Sequence, residues 1–180
     1  MNRTADVVIV GAGVIGSATA FELAKRGYKT LNIDKLPASG YGSTSNSCAI
    51  VRAHYSTWDG VAMAYEGFFY WDDWNKYLEV EDERGMAKYM KTGSIMFMLK
   101  GADHSKKSLN LFKEIGIEHE IWDLETLKKK MPIYSHDSYN GTSRPDEDDS
   151  FFDKSGDQIE GAIWTPGSGY VSDPQLATHN

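Results

Sequence analysis

The stretch VVIVGAGVIGSATAFELAKRGYKTLNID, Val7 to Asp34, leaves the chain little choice of fold. Residues 5–10, ADVVIV, form a nearly continuous apolar run, the pattern of a parallel strand buried on both faces. Gly11, Gly13 and Gly16 follow at G-x-G-x-x-G spacing. Val14, Ala18, Phe21 and Ala24 then recur at helical spacing, so a helix is expected over 14–26. It closes on KRG, with basic residues in the last turn and Gly27 as the C′ stop. Residues 29–34, KTLNID, read as a second strand, which completes a strand–helix–strand unit.

Each glycine has a physical task in that unit. The first makes the tight turn out of the strand, the second admits a pyrophosphate close to the backbone, and the third lets the helix pack on the sheet. The helix amino terminus, with Gly13, Val14 and Ile15, offers free N–H groups and a positive dipole end to phosphates. Asp34 ends the second strand, where a carboxylate accepts hydrogen bonds from both ribose hydroxyls. The combination points to an adenine dinucleotide on a Rossmann-like βαβ unit, against the plainer reading of a glycine-rich structural turn. The fingerprint does not separate NAD from FAD. The next loop, GYGSTSNSCAIVR (Gly40–Arg52), argues for FAD, because small hydroxyl and glycine residues after the ribose acid suit a second set of phosphates and a flavin ring. An NAD-dependent dehydrogenase is the weaker reading.

Farther along, residues 35–49 are too rich in Gly, Ser and Pro for a regular element and too long for a mere connection. One long helix is expected over 57–79, capped by Thr57 or Asp59. Its aromatics (Phe68, Phe69, Tyr70, Trp71, Trp74, Tyr77) read as core packing rather than as a cofactor box. A strand kinked at Gly93 is expected over 88–99, a helix over 103–115, a strand over 117–122 and a helix over 123–131 that Pro132 stops. Residues 134–157 are polar and acidic and read as a mobile surface excursion. A strand over 159–164, a turn, and a helix capped by Ser172 or Asp173 follow.

Composition excludes some classes of function. The net charge of −7, with no basic stripe, argues against nucleic acid as a partner. KKK at 128–130 and DEDD at 146–149 read as solvated surface. No window of about 18 apolar residues exists, so no membrane span is expected. The single cysteine, Cys48, suits a reducing compartment, and the first strand leaves no room for a leader, so a cytoplasmic location is expected. No metal site is suggested.

Three segments in order, VVIVGAGVIGSATAFELAKRG, GSTSNSCAIVRAHY and GYVSDPQLA, resemble the FAD-dependent amine oxidoreductases, the D-amino-acid oxidase-like family. Within it the chain looks most like the sarcosine oxidase, glycine oxidase and dimethylglycine dehydrogenase branch. The resemblance implies transfer of a hydride equivalent from the carbon beside an amine to FAD. It implies cofactor contacts at Gly11, Gly13, Val14, Ile15, Gly16, Asp34, Lys35, Gly42, Ser43, Thr44, Ser47, Cys48, Ala49 and Ile50. It gives Arg52 the role of pairing with a substrate carboxylate, and Tyr55 a place in the same pocket. The plainer reading of Arg52 is a structural salt bridge. The family more often has glutamate at the ribose acid. Some relatives attach the flavin through a histidine in the second loop, but here that place falls near Asn46, so non-covalent FAD is expected. Cys48 reads as a packing residue, and His54 is not taken as a direct participant.

The expected architecture is α/β (α+β overall), a Rossmann-like FAD-binding unit with the beginning of an antiparallel-sheet substrate domain, and it looks incomplete. Residues 1–56 and 170–180 are assigned to the FAD domain, 57–84 to a long connecting helix and 85–169 to a partial substrate domain. The resemblance implies longer relatives, so a missing C-terminal half or a partner chain is expected to complete the site, and the isolated chain is expected to be inactive. Two functions stand side by side. One is oxidation of a small amine or amino acid, and the other is a non-catalytic flavin-binding or assembly subunit.

Overall fold

Val7–Val10 (β1) leads through the glycine turn into α1 (Val14–Lys25) and back into β2 (Thr30–Ile33), as the hydrophobic pattern dictates. The computed structural model describes residues 4–139, 144 and 146–180. In chain order there follow β3 (Ile50–Val51), α2 (Trp58–Asp72), α3 (Trp74–Leu78), β4 (Tyr89–Met90), β5 (Ser94–Met98), α4 (Asp103–Ile115), β6 (Glu120–Asp123), α5 (Leu124–Lys130), β7 (Asp137–Tyr139), β8 (Lys154–Gln158), β9 (Gly161–Thr165), β10 (Gly169–Val171) and α6 (Pro174–His179). The chain divides into two compact units. The first takes residues 1–51, 67–91 and 169–180, and the second takes 52–66 and 92–168.

In the first unit β1 and β2 pair in parallel, Val8 opposite Leu31 and Val10 opposite Ile33. α1 ends as expected: the N–H of Gly27 donates to the Ala24 carbonyl and that of Tyr28 to the Leu23 carbonyl, with Gly27 left-handed. The inner face of the pair is half-buried, and the Asn32 side chain donates to the Gly16 carbonyl from it. The outer face differs from expectation. Val8 is 55% exposed and Val10 84%, and Leu31 and Ile33 are exposed beside them. The apolar run suited burial on both sides, but no layer covers this side among the described residues. A second sheet has the order β3-β10-β4, antiparallel throughout. Its core is Ala87, Val171 and Ala177, packed by Val51, Trp71, Trp74 and Leu176. Asp173 rather than Ser172 caps α6, accepting from the Leu176 N–H.

The expected single helix over 57–79 is two. Thr57 caps α2 by accepting from the Gly60 N–H at 3.3 Å. α2 stops at Asp72, because Asp73 takes a non-helical backbone conformation before α3 begins. Phe68 is buried and the Trp71 and Trp74 rings stack at 4.4 Å, so packing accounts for those aromatics, whereas Phe69 and Tyr70 are exposed.

The second unit is built on the antiparallel sheet β5-β9-β6. β9 is central, and Ala162 and Ile163 are fully buried in it. Trp122, Leu127, Ile159 and Ala162 form one core, with Ile95, Phe97 and Trp164 against it. The expected strand over 88–99 is divided at Gly93, so that β4 and β5 lie in different sheets. Gly93 is left-handed, and the Trp164 ring fills the space where its side chain would stand. The strand foreseen over 117–122 starts at Glu120, since Gly116 and Ile117 are still bonding back to Phe112 of α4. Asp123 caps α5. Residues 134–157 are not a simple excursion. β7 and β8 pair antiparallel, Asp137 opposite Gln158, and Lys154 bridges to Asp137 at 2.6 Å. Part of the expected excursion, residues 140–143 and 145, lies outside the described residues.

Candidate functional site

The glycine turn is held from within. Gly11 has φ +108°, a conformation that favours glycine, and its N–H extends the parallel pairing to the Ile33 carbonyl at 2.8 Å. A side chain on Gly16 would collide with the Gly11 carbonyl, so the third glycine permits the turn to meet the helix. At Gly13 the neighbour is softer, the Thr44 hydroxyl at 3.0 Å from the place of a Cβ.

Asp34 closes the turn. One carboxylate oxygen accepts from the Ala12 N–H at 2.7 Å and the other from the Leu36 N–H at 2.9 Å. These backbone donors, Ala12 first, hold its pKa below the ordinary carboxylate value. The group is therefore ionised, aimed and exposed, and each oxygen keeps capacity to accept a hydroxyl. Val10, Gly11, Ile33, Asp34 and Lys35 line a cavity of about 410 Å³ at the carboxyl ends of β1 and β2, where ligands of parallel sheets sit.

The second loop belongs to the same unit and is tied to the turn. The Gly40 N–H donates to the Ala12 carbonyl at 2.8 Å, and the buried Thr44 hydroxyl accepts from the Val14 N–H at 3.1 Å. Thr44 thus caps α1 from 30 residues away, where Gly13 has no side chain to do so. Gly42 accepts from the side chains of Ser45 and Asn46, and Ser47 from the Ala49 N–H. Ala49 is left-handed at φ +52°. Ile15, Ser43, Ser47, Cys48 and Ile50 are exposed. The first turn of α1 contains no acidic residue, so nothing of its own opposes an anion there.

Arg52 and Tyr55 belong to the second unit. The exposed Arg52 guanidinium donates to the His54 carbonyl at 3.3 Å and lies over the Tyr55 ring at 5.6 Å. Among the described residues it makes no ion pair, so the salt-bridge reading finds no carboxylate partner in this structure. Between them His54 is buried, and its Nε2 stands 2.9 Å from the Thr165 hydroxyl. Burial first, then the charges of Arg52 and His104, push the imidazole down to about 4, so it is neutral near pH 7. Sequence reasoning set His54 aside as a direct participant and did not single out Thr165 or Ser108. Their contacts span 111 and 53 residues, and no local pattern announces them.

The structure thus gathers Gly11, Asp34 and Lys35 around one cavity and ties Thr44 and its loop to α1. The carboxylate, the glycine backbone and the helix terminus, with no acidic residue in its first turn, suit the ribose and pyrophosphate of an adenine dinucleotide. No group of three or more metal-ligating side chains occurs among the described residues. Among the described residues no helix is long and apolar enough to cross a membrane.

Residues 6–180 match the FAD dependent oxidoreductase family, DAO. The chain belongs to this family. The family is FAD-dependent, which sets the NAD reading aside. A putative sarcosine oxidase of Caenorhabditis elegans is 31% identical over 147 residues, 81% of this chain and 36% of that protein. A monomeric sarcosine oxidase of Bacillus sp. is 29% identical over 149 residues, covering 81% and 37% respectively. Among solved structures, an L-proline dehydrogenase from P. horikoshii superposes with a TM-score of 0.73 at 20% identity, over 99% of this chain and 41% of that one. A glycine oxidase from Geobacillus kaustophilus gives 0.63 at 22% identity, over 96% and 42%. These last two likenesses concern the fold. The chain spans about two fifths of the length of each of these four proteins.

Proposed function

We propose that this DAO-family chain is the FAD-holding, N-terminal part of an oxidoreductase acting on the C–N bond of a small amine or amino acid of the sarcosine, dimethylglycine or glycine kind. The observation that carries the reading is the Asp34 carboxylate tied to the Ala12 N–H across the glycine turn, in a chain of this family. Relatives named as sarcosine oxidases support the substrate class. FAD, when bound, supplies the hydride acceptor. The chain's own residues do the rest. Asp34 and the glycine turn hold the ribose and pyrophosphate, the loop 40–50 lies along the cofactor, and Arg52 binds the substrate carboxylate by a bidentate fork, with Tyr55 beside it. The flavin is held without a covalent bond, since the second loop offers Asn46 where a histidine would attach it. Residues 1–56 and 170–180 serve the cofactor, 57–84 connect, and 85–169 begin the substrate domain. A reducing compartment such as the cytoplasm suits the single exposed Cys48.

The first test is the visible spectrum of the purified protein after addition of FAD, before and after acid precipitation. Bands near ~375 and ~450 nm that leave with the supernatant are expected for a non-covalent flavin. A protein that stays colourless overturns the site, and colour kept in the pellet overturns the non-covalent assignment. Asp34→Ala is expected to weaken FAD binding by about 10- to 100-fold, the value of one charge-assisted hydrogen bond.

A second reading is a non-catalytic flavin-binding or assembly subunit completed by further polypeptide. The uncovered apolar face of Val8, Val10, Leu31 and Ile33 favours it. Flavin that is bound but never bleached by sarcosine, even with a completing partner present, would establish this reading over the first.

A further inference from the structure

Residues 52–55 divide into a buried pair flanked by two exposed residues. Arg52 and Tyr55 are exposed, whereas Ala53 and His54 are buried at 0% and 8% exposure. The buried pair works as a root for the exposed pair. The His54 ring stacks on Phe112 of α4 with centroids 5.4 Å apart and planes at 24°, and Phe112 is itself fully buried. The ring's Nε2 meets the hydroxyl of Thr165, the last residue of the central strand β9, which is also fully buried. The same residue that is fixed through its side chain presents its main-chain carbonyl to Arg52 Nη1. The next residue is fixed as well: Ser108, buried in α4, donates its hydroxyl to the Tyr55 carbonyl at 3.2 Å, and the Tyr55 N–H donates to the Ala53 carbonyl at 2.9 Å. The carbonyl the guanidinium rests on, and the backbone that carries the Tyr55 ring, are thereby tied to α4 and β9.

We propose that His54 is a positioning residue for Arg52. Its imidazole, held by the Phe112 stack and the Thr165 hydroxyl, fixes the carbonyl that aims the guanidinium at a substrate carboxylate. The proposal rests on the carboxylate-binding reading of Arg52. Its physical basis is preorganisation: a long, rotamer-rich side chain held in advance loses less freedom when its ligand arrives. Burial keeps the imidazole neutral, so it sets no second positive charge beside Arg52 and serves Thr165 as one donor or one acceptor. A histidine that only filled the core would need the stack on Phe112, but not a hydrogen bond whose backbone continuation carries the one exposed cation of the segment.

The test uses the FAD-loaded 180-residue chain and the ¹⁵N NMR signal of the Arg52 Nε–H group. The probes are sarcosine and, as a control without a carboxylate, dimethylamine. The wild-type signal is expected to shift saturably with sarcosine and not with dimethylamine. His54→Phe keeps the stack and loses the hydrogen bond, whereas Thr165→Val removes the other partner at nearly constant volume. Each is expected to raise the sarcosine Kd about tenfold, one hydrogen bond's worth, and the double variant no further, because both cut the same link. His54→Gln, whose amide reaches toward Thr165, is expected to recover part of the loss and serves as the variant least disturbing to folding. Wild-type sarcosine affinity in folded His54→Phe or Thr165→Val protein would overturn the positioning role while leaving Arg52 in place. A wild-type Arg52 signal that sarcosine does not move would overturn the reading of Arg52 and this inference with it.

Discussion

The parallel pair β1–β2 and the antiparallel sheet β5-β9-β6 use similar residues to opposite ends. In the second, Ile163 and Ala162 are sealed from water, and Trp122 stacks on Trp164 with ring centroids 5.2 Å apart. In the first, valines and isoleucine stand in water along one face, and α1 has no fully buried residue. Burial supplies most of a domain's stability, so the antiparallel sheet contributes more folding energy than the parallel pair. The layer carrying the nucleotide fingerprint is held instead by directed bonds, Asp34 to Ala12, Gly40 to Ala12 and Thr44 to Val14. Such a layer gains most from a bound ligand, which stabilises the folded form by mass action.

Substitutions grade that contrast. Ile163→Ala is expected to cost about 3 to 4 kcal/mol in urea unfolding, the range for a large side chain removed from a sealed core. A cost below about 1 kcal/mol would show that the second sheet is as loosely built as the first. The next effect is one of pH. His54 has a folded pKa of about 4 against an ordinary 6.5, with Arg52 and His104 as its charged neighbours. The unfolded chain therefore takes up the proton first. The contribution is complete above pH 6.5 and drains as pH falls toward 4. Unfolding at pH 5 is expected to show about 2 kcal/mol less stability from this group than at pH 7, and His54→Phe should remove that slope. A slope unchanged in the variant would mean the imidazole is not buried in solution.

Smaller effects belong to the first unit. Thr44→Val takes the cap from α1 and is expected to cost about 1 kcal/mol, read from the same unfolding curves with and without FAD. The smallest is Val10→Thr, on the open face, expected to change stability by less than about 0.5 kcal/mol. A larger loss would show that the face is covered in solution, by a second copy or by added polypeptide. A sedimentation run on the same sample distinguishes self-association from the monomer.

Much of this was legible in the sequence where the signal is local. β1, α1 and β2 follow from apolar period and glycine placement, because turn and helix chemistry act within a few residues. The break between α2 and α3 was not legible, since six aromatics spread over more than one face conceal which residues pack and which terminate. The β7–β8 hairpin was missed because its strands are polar and β8 is exposed along its whole length, leaving no alternation to read. The glycine turn and Asp34 could be found as a candidate site because the motif compresses the geometry into one segment. Thr44 as a cap and His54 as an anchor could not, because they act across 30 and 111 residues of separation that only tertiary structure closes.

The contact of Gly16 with the Gly11 carbonyl carries a consequence for descent. Gly16 is demanded by the chain's own backbone, whereas Gly13 faces only a hydroxyl able to yield. A lineage that abandoned the cofactor would be free to lose Gly13 early and would be held to Gly16 as long as the turn itself survives. The order in which the three glycines decay thus records whether a descendant gave up its ligand before it gave up its fold.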